Sequence, residues 1–546
     1  MLAAVLGFAG IFQHGLWTPD EPREAEIGRE MLVSGLSAVP TLGGAPFVEK
    51  PPLFPWILAG SYSVFGVSAG SARIPSALFG IGAVLVAFEL GRRAGGRTAG
   101  LCAAAVLATS AEFAAISHAS VNDTALMFFV AAGHLAFLVA RDDQRLGRGS
   151  LALPLAGLLA GLAFLTKAWI GPILLAGPPL LAAALGREWR LLARAGVRSI
   201  LACVAGTVLL GAPWVLALVR AGRSDLVRVC LVDNAVGRAA GGAAYASFGH
   251  ARGPLYYLSA FPASFLPWTL AIPGIVLARA PRQRARFLAL LVVAGLLLLS
   301  IPSGKRELYA LPLFPAAAAV VGVWLSRVGS RRGSRVDAPT LAAVLGVLVL
   351  ACAAGALGLA LAAAGRVPAS LAEFAQALDG RRASGVLAVA AGALAFGGAA
   401  IAWFAARALR SRSPALAART AVAAASILVF ALQACLRPIL DPAKDLRAGS
   451  LAIARAVPAS EPLLGFALDE TIRAVVPFYG GRLLRSVDDP ERAAADLESG
   501  RSRHLVVTEA GEKRLPDGLR RRLAPVAELR VGVARPVTVY RYDAAR

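Results

Sequence analysis

Residues 71–117 read SARIPSALFGIGAVLVAFELGRRAGGRTAGLCAAAVLATSAEFAAIS. Two apolar runs, 71–91 and 98–117, flank a basic knot at Arg92, Arg93 and Arg97. Each run approaches the roughly twenty residues that a helix needs to cross a bilayer. The arginines between them mark a turn on the cytoplasmic side, where Lys and Arg accumulate in membrane proteins. This stretch therefore predicts a membrane hairpin, and the rest of the chain repeats its grammar.

Working outward, the same alternation predicts about thirteen spans, at 2–17, 71–91, 98–117, 124–140, 151–166, 170–186, 197–219, 268–279, 286–301, 308–326, 340–364, 384–407 and 419–436. With 57% hydrophobic residues and a mean hydropathy of +0.65, the 546-residue chain suits a bilayer better than water. Its formal charge of +23 sits in short clusters such as Arg187/Arg190/Arg194/Arg198, Arg279/Arg282/Arg284/Arg286 and Arg327/Arg331/Arg332/Arg335. That placement explains the charge by topology and argues against nucleic acid as a partner. The five cysteines, Cys102, Cys203, Cys230, Cys352 and Cys435, have no metal-type spacing and suggest no disulfide framework.

With the first residues inside, loops 18–70 and 220–267 and everything after 437 fall on the extracytoplasmic side. Residues 2–17 lack a basic region before the apolar run, so a first span is expected rather than a cleaved signal. The segment 53–69 is expected to lie along the outer surface, since counting it as a span would reverse the arginines at 92–97. Beyond Pro442, short apolar runs at 463–468, 504–509 and 537–542 alternate with polar helical segments, the pattern of a small α/β domain. The expected organisation is a transmembrane domain over 1–436 and a soluble extracytoplasmic domain over 437–546.

Lysine usage narrows the chemistry. Arginine serves almost everywhere, and the only lysines are Lys50, Lys167, Lys305, Lys444 and Lys513, all on the outer side by this topology. Snorkelling at helix ends explains any one of them. Repeated choice of a compact ammonium beside Pro, Gly or Ser breaks points instead to an anion such as phosphate. The first outer loop holds DEPREAEIGREM from Asp20 and Glu49-Lys50-Pro51-Pro52. Glu26 and Glu30 fit a solvated amphipathic helix, whereas Asp20 stands where the chain leaves its first span. Asn122-Asp123 ends the third span and reads equally as a helix cap. His250-Ala251-Arg252-Gly253-Pro254 and Ser303-Gly304-Lys305-Arg306-Glu307-Leu308-Tyr309 complete the polar set. For the intramembrane His134, helix-to-helix hydrogen bonding is a sufficient reading. The set gathers on one face, and no P-loop, G-x-G-x-x-G, H-E-x-x-H or G-x-S-x-G pattern suggests a nucleotide cofactor, a zincin or a serine hydrolase.

These residues resemble a known family. DEPREAEIGREMLVSG followed by VPTLGGAPFVEKPPLFPW looks like the first periplasmic loop of the bacterial GT-C glycosyltransferases related to aminoarabinose transferases and protein O-mannosyltransferases. ASVNDTALMFF, GLAFLTKAWIGP, HARGPLYY and PSGKRELYALPLFP follow in family order, so the likeness spans about residues 15–320. The resemblance implies a polytopic inner-membrane enzyme that moves a sugar from a polyprenyl (undecaprenyl) phosphate donor to a lipid or glycan acceptor, lipid A-like, with inversion. It assigns reaction-centre roles to Asp20 and Asp123. Donor phosphate contacts fall to Lys50, Arg252, Lys305 and Arg306, and substrate contacts to Glu21, Arg23 and Tyr309. Glu49 and His250 become ligands of a divalent ion, zinc, magnesium or manganese. Two positions depart from the pattern: Glu24 stands where an aromatic often follows the arginine, and His250 stands alone where some relatives pair two histidines. A protein acceptor, or a polyprenyl-linked flippase or transporter, is the competing expectation; transporter sites sit near the midplane between inverted repeats, and the sequence has neither repeats nor a midplane charge cluster.

Overall fold

The computed structural model describes residues 2–145, 151–189, 192, 196–234, 251–277, 283–329, 335–366, 381–411, 413–532 and 535–543. Among them, eight helices are long and apolar enough to cross a bilayer, and a ninth is possible by composition if one bent pair counts as a span. The chain begins with α1 (Leu2–Phe8), α2 (Glu21–Val33), the hairpin β1 (Thr41–Leu42) and β2 (Ala45–Pro46), and α3 (Leu53–Phe65). Next come α4 (Ala69–Gly95), α5 (Arg97–Ala108), α6 (Ala111–Ile116), α7 (Asp123–Arg145), α8 (Ala152–Lys167), α9 (Ile170–Leu185) and α10 (Val197–Arg220).

Burial sorts these helices into a centre and a rim. The spanning window of α7 is 78% buried and that of Glu307–Val328 is 83% buried, whereas α10, Asp337–Ala363 and Ser384–Ala408 bury only 28%, 28% and 17%. The rim helices are apolar all round, so their exposed leucines, valines and phenylalanines need a lipid solvent. The 27 residues of α4 rise about 40 Å, more than a hydrocarbon core. One end of α4 carries Arg73 and the other Arg92 and Arg93; α7 likewise runs from Asp123 to Arg141. At the arginine-rich end Arg284 reaches Asp142 and the Arg93 carbonyl, and Arg141 pairs with Glu188. The two ends of the bundle are thus chemically distinct, as the arginine spacing requires.

Several expected spans take other forms. The run 2–17 makes only the short α1, because the chain turns at Gly10 in a left-handed conformation packed against Gln433; a Cβ there would lie 2.1 Å from the Gln433 carbonyl. The run 98–117 breaks between α5 and α6, where the Thr109 and Ser110 hydroxyls donate back to the carbonyls of Ala105 and Val106. Trp268–Leu277 joins Tyr256–Ser264 at a bend of 104°, so part of the expected outer loop is helical.

The division expected at 436/437 falls within continuous helical turns, Leu432–Leu436 and Arg437–Leu440. Farther on, β3 (Leu463–Phe466), β4 (Leu484–Val487), β5 (His504–Thr508), β6 (Leu523–Val531) and β7 (Arg535–Tyr542) form one sheet in the order β4-β3-β5-β7-β6. The first three strands are parallel, and β6–β7 closes as an antiparallel hairpin. Side chains alternate between two apolar layers: Leu463, Val506, Val537 and Val539 on one face, Leu464, Phe466, Leu505 and Val507 on the other.

Candidate active site

The first loop is built around α2. Pro22 near its start and the acidic Glu21 and Glu24 in its first turn suit a helix N-terminus. Asp20 occupies the N-cap position, yet its side chain makes no capping bond. Instead one carboxylate oxygen accepts from Arg23 at 2.8 Å and the other from Arg306 at 2.9 Å. Burial alone would raise the Asp20 pKa; the hydrogen bond and charge of Arg306, then the charges of Arg23 and Lys50, outweigh it and hold the group down at about 2. Asp20 is therefore a firmly ionised carboxylate in fixed orientation.

Arg306 owes its position to a neighbouring staple. Ala251 bridges Gly304, and the Arg252 amide donates to the Ser303 carbonyl at 3.0 Å. The Lys305 ammonium is 3% exposed and bonds the carbonyls of Arg252 and Pro302. Two of its three hydrogens are thus spent on the turn that presents Arg306, and Lys305 is not among the residues lining the cavity that holds Lys50. Arg252 is exposed beside it. The Tyr257 hydroxyl donates to the Arg306 carbonyl at 3.0 Å and secures the turn from the other side.

Glu21 also departs from expectation. It is buried and receives Arg73 through two nitrogens at 2.7 and 2.9 Å, with the Trp17 and Ser120 amides at 2.8 and 2.9 Å. Arg73, fully buried, bonds in addition the carbonyls of Ile11, His14 and Gly15. Such a satisfied carboxylate has no capacity left for substrate. Its work is to tie the first loop to α4 and to the turn before α7. Arg73 carried a legible signal, being an arginine at the end of its span opposite the arginine clusters.

Glu26 and Glu30 are not on a solvated face. Arg29 forks onto Glu26 with two contacts of 2.7 Å and reaches the Arg482 carbonyl at 2.9 Å. Glu30 accepts from the Thr41 hydroxyl at 2.5 Å and the Gly43 amide at 2.7 Å. It thereby braces the Gly43-Gly44 turn, where both residues have positive φ as a two-residue hairpin turn demands. The Gly43 carbonyl in turn accepts from the Ser486 amide in β4 at 2.9 Å. Arg29, which holds Glu26, and the Gly43 turn, which Glu30 braces, are each bonded in turn to residues more than four hundred positions away.

After this hairpin the chain delivers Glu49 and Lys50 to the wall of a cavity of about 210 Å³. Lys167, at the end of α8, and Tyr309 line the same cavity, with Trp169, Ile173, Leu174 and Leu299 among its apolar members. Each ammonium has a carboxylate at 2.6 Å: Glu24 for Lys50 and Asp123 for Lys167. Asp123 therefore faces Lys167 rather than capping its helix, and the Lys167 ammonium also lies 4.7 Å from the centre of the Tyr309 ring. Arg23 links the groups, touching Asp20, Glu24 at 3.6 Å and Glu470 at 3.0 Å. Asp20, Arg23, Glu24, Lys50 and Arg306 thus form one connected charge network at one end of the bundle, next to the Asp123–Lys167 pair. Glu24 and Glu470 are the contacts the sequence-based set lacked, while Lys167 stood among the lysines read there without an assigned role. Among the other expected polar groups, His134 bonds the Leu174 carbonyl at 2.8 Å, a helix-to-helix contact.

His250, the second expected metal ligand, lies outside the described residues. Among the described residues no group of three or more His, Cys, Asp or Glu is arranged to hold a metal ion. Glu49 alone of the expected ligands is located, on the cavity wall beside Lys50.

A family model for dolichyl-phosphate-mannose-protein mannosyltransferases matches residues 6–221. An undecaprenyl phosphate-alpha-4-amino-4-deoxy-L-arabinose arabinosyl transferase of Pseudomonas aeruginosa is 33% identical over 317 residues, which are 57% of this chain and 55% of the relative. A Pseudomonas fluorescens transferase of the same name is 32% identical over 63% of this chain and 61% of its own length. The chain thus spans little more than half the length of the curated relatives it matches. The crystal structure of ArnT from Cupriavidus metallidurans bound to undecaprenyl phosphate superposes with a TM-score of 0.74 at 21% identity, covering 98% of this chain and 96% of that one. This chain has the ArnT fold. Coverage of nearly the whole length brings both the helical bundle and the terminal sheet within that likeness, and the apo form of the same transferase matches equally, with a TM-score of 0.73.

Proposed function

We propose that this chain is a glycosyltransferase of the bacterial inner membrane that moves a sugar from a polyprenyl (undecaprenyl) phosphate carrier to a lipid or glycan acceptor, with inversion. The carrying observation is a cavity lined by two ammoniums and a set of apolar side chains, and joined through the Lys50–Glu24–Arg23 ion pairs to an ionised, doubly anchored aspartate. A polyprenyl phosphate has that duality. Its phosphate suits Lys50 and Lys167, and its chain suits Trp169, Ile173, Leu174 and Leu299. The relatives' names, which specify undecaprenyl phosphate sugars, support the same donor class.

In the proposed reaction the acceptor oxygen bonds to the anomeric carbon as the bond from that carbon to the phosphate oxygen breaks. The electron pair leaves on the phosphate, where cations stabilise it, and any acceptor proton passes to Asp20. A carboxylate held by two guanidiniums is a weak base. This favours an acceptor that arrives already ionised, such as the phosphate of a lipid A-like glycolipid, over a protein hydroxyl. Glu49 and His250 are the pair we propose for a divalent ion, whose charge would offset that of the phosphate. The site end of the bundle would face outward, where nucleotide sugars are absent and a lipid-borne donor is needed; the arginine-rich end would face the cytoplasm.

The test is purified protein, in detergent and reconstituted into vesicles, with a labelled polyprenyl-phosphate sugar and a lipid A-type acceptor. Acceptor-dependent release of polyprenyl phosphate, with inverted configuration in the product, supports the reading. Movement of the intact donor across vesicles without release overturns it in favour of a flippase.

A further inference from the structure

We propose that Glu24 is a discriminating counter-ion: it weakens the hold of Lys50 on the released lipid phosphate more than on the sugar-bearing donor, and so clears the site after transfer. The proposal rests on the donor reading above. The Lys50 ammonium lies 2.6 Å from one Glu24 oxygen, and the Glu24 side chain is only 5% exposed. Lys50 lines the large cavity and a smaller one behind it, whereas Glu24 lines only the smaller. The carboxylate therefore approaches the ammonium from behind and stays in place when an anion arrives from the cavity. An anion in the cavity meets an ammonium already opposed by a fixed negative charge.

The two ligands differ in charge. A polyprenyl-phosphate sugar is a phosphodiester with one negative charge; the released polyprenyl phosphate is a monoester that carries two above its second pKa of about 6. Repulsion by a fixed carboxylate scales with ligand charge, so the dianion suffers twice the penalty in free energy. Even when screened as in bulk water, at an effective dielectric of about 80, one such charge roughly 5–6 Å from the phosphate changes monoanion binding by about threefold and dianion binding by about tenfold. An aromatic at this position would hold Lys50 without that asymmetry.

Glu24→Gln keeps a carbonyl oxygen for Lys50 and removes the charge, while Glu24→Asp keeps the charge. The full chain is assayed for the donor KM and for the inhibition constant of added polyprenyl phosphate, from pH 5 to pH 8. Arg23, Glu49 and Asp20 stand near Lys50 and Glu24 in the first loop, Arg306 lies beyond Asp20, and Lys167, paired with Asp123, lines the same cavity as Lys50. Comparison of variant with wild type at each pH cancels what these groups contribute. At pH 8 the Gln variant is expected to tighten polyprenyl phosphate inhibition roughly tenfold and to lower the donor KM about threefold. The gap between the two effects closes below pH 6, and the Asp variant resembles wild type. Equal shifts for donor and product, weaker binding of both, no shift, or a gap that persists at pH 5 overturns the proposal. Wild-type protein that neither binds polyprenyl phosphate nor releases it overturns the donor reading instead.

Discussion

Replacing Asp20 with Asn tests the centre of the site with the least disturbance. Asparagine retains one oxygen, so Arg23 or Arg306 keeps a partner, and the N-cap position loses no capping bond because Asp20 makes none. The fold should therefore hold. What is lost is the negative charge that both guanidiniums now share. General-base and charge-stabilising carboxylates contribute about 10²–10⁴-fold in rate, so kcat should fall by that factor. Arg306, freed of its counter-ion, would attract the donor phosphate, so the donor KM should stay level or fall. The pH profile carries an independent sign. A carboxylate whose folded pKa is held at about 2 is ionised above that value and is neutralised only as pH falls through it. Wild-type activity at pH 5 should owe no loss to Asp20. Release of labelled polyprenyl phosphate measures both quantities. A variant that keeps more than about a tenth of kcat, or whose KM rises in proportion, removes Asp20 from the reaction centre.

Arg73→Leu leaves the Glu21 carboxylate buried with only two amide donors and should cost roughly 3–5 kcal/mol, read as a lowered unfolding transition in detergent. Lys50→Ala should raise the donor KM, whereas Lys305→Ala should lower kcat by displacing Arg306 with little change in KM; equal KM effects would return Lys305 to the phosphate. Chelation should slow transfer and added divalent ion restore it, and a rate unchanged in enzyme verified as metal-free would leave phosphate stabilisation to the cations alone.

The membrane architecture was legible because hydropathy and arginine placement are local properties of the chain. The span 71–91 needed nothing beyond its own composition, and Arg92 and Arg93 indeed lie at the opposite end of α4 from Arg73. Most of the failures are long-range; the break in the run 98–117, set by Thr109 and Ser110 bonding carbonyls four residues back, is local. The run 2–17 has the composition of a span, but its turn at Gly10 is dictated by Gln433. Glu26 and Glu30 look solvated in sequence because Arg29 and the Gly43 turn, which occupy them, are fixed in part by Arg482 and Ser486. Lys305 and Lys50 carry the same charge beside similar breaks, and only the three-dimensional turn separates an ammonium that staples carbonyls from one that lines a cavity. Glu24 was visible as a departure from a pattern, but its pairing with Lys50 was not.

The contacts between the first loop and the last quarter of the chain bear on how the protein is made. Gly15 and Trp17 bond Asp441, Leu16 bonds Tyr479, Arg29 bonds Arg482 and Gly43 bonds Ser486. The ribosome delivers these partners more than four hundred residues after the loop itself. While the bundle is being inserted, α2 and its carboxylates stand without their eventual cover. The network gains its Glu470 contact to Arg23, and the loop its Asp441, Tyr479, Arg482 and Ser486 bonds, only when the last quarter of the chain packs onto it. A chain cut short before these partners would own nearly every described residue of the charge network yet lack the contacts that Asp441, Glu470, Tyr479, Arg482 and Ser486 make to its first loop.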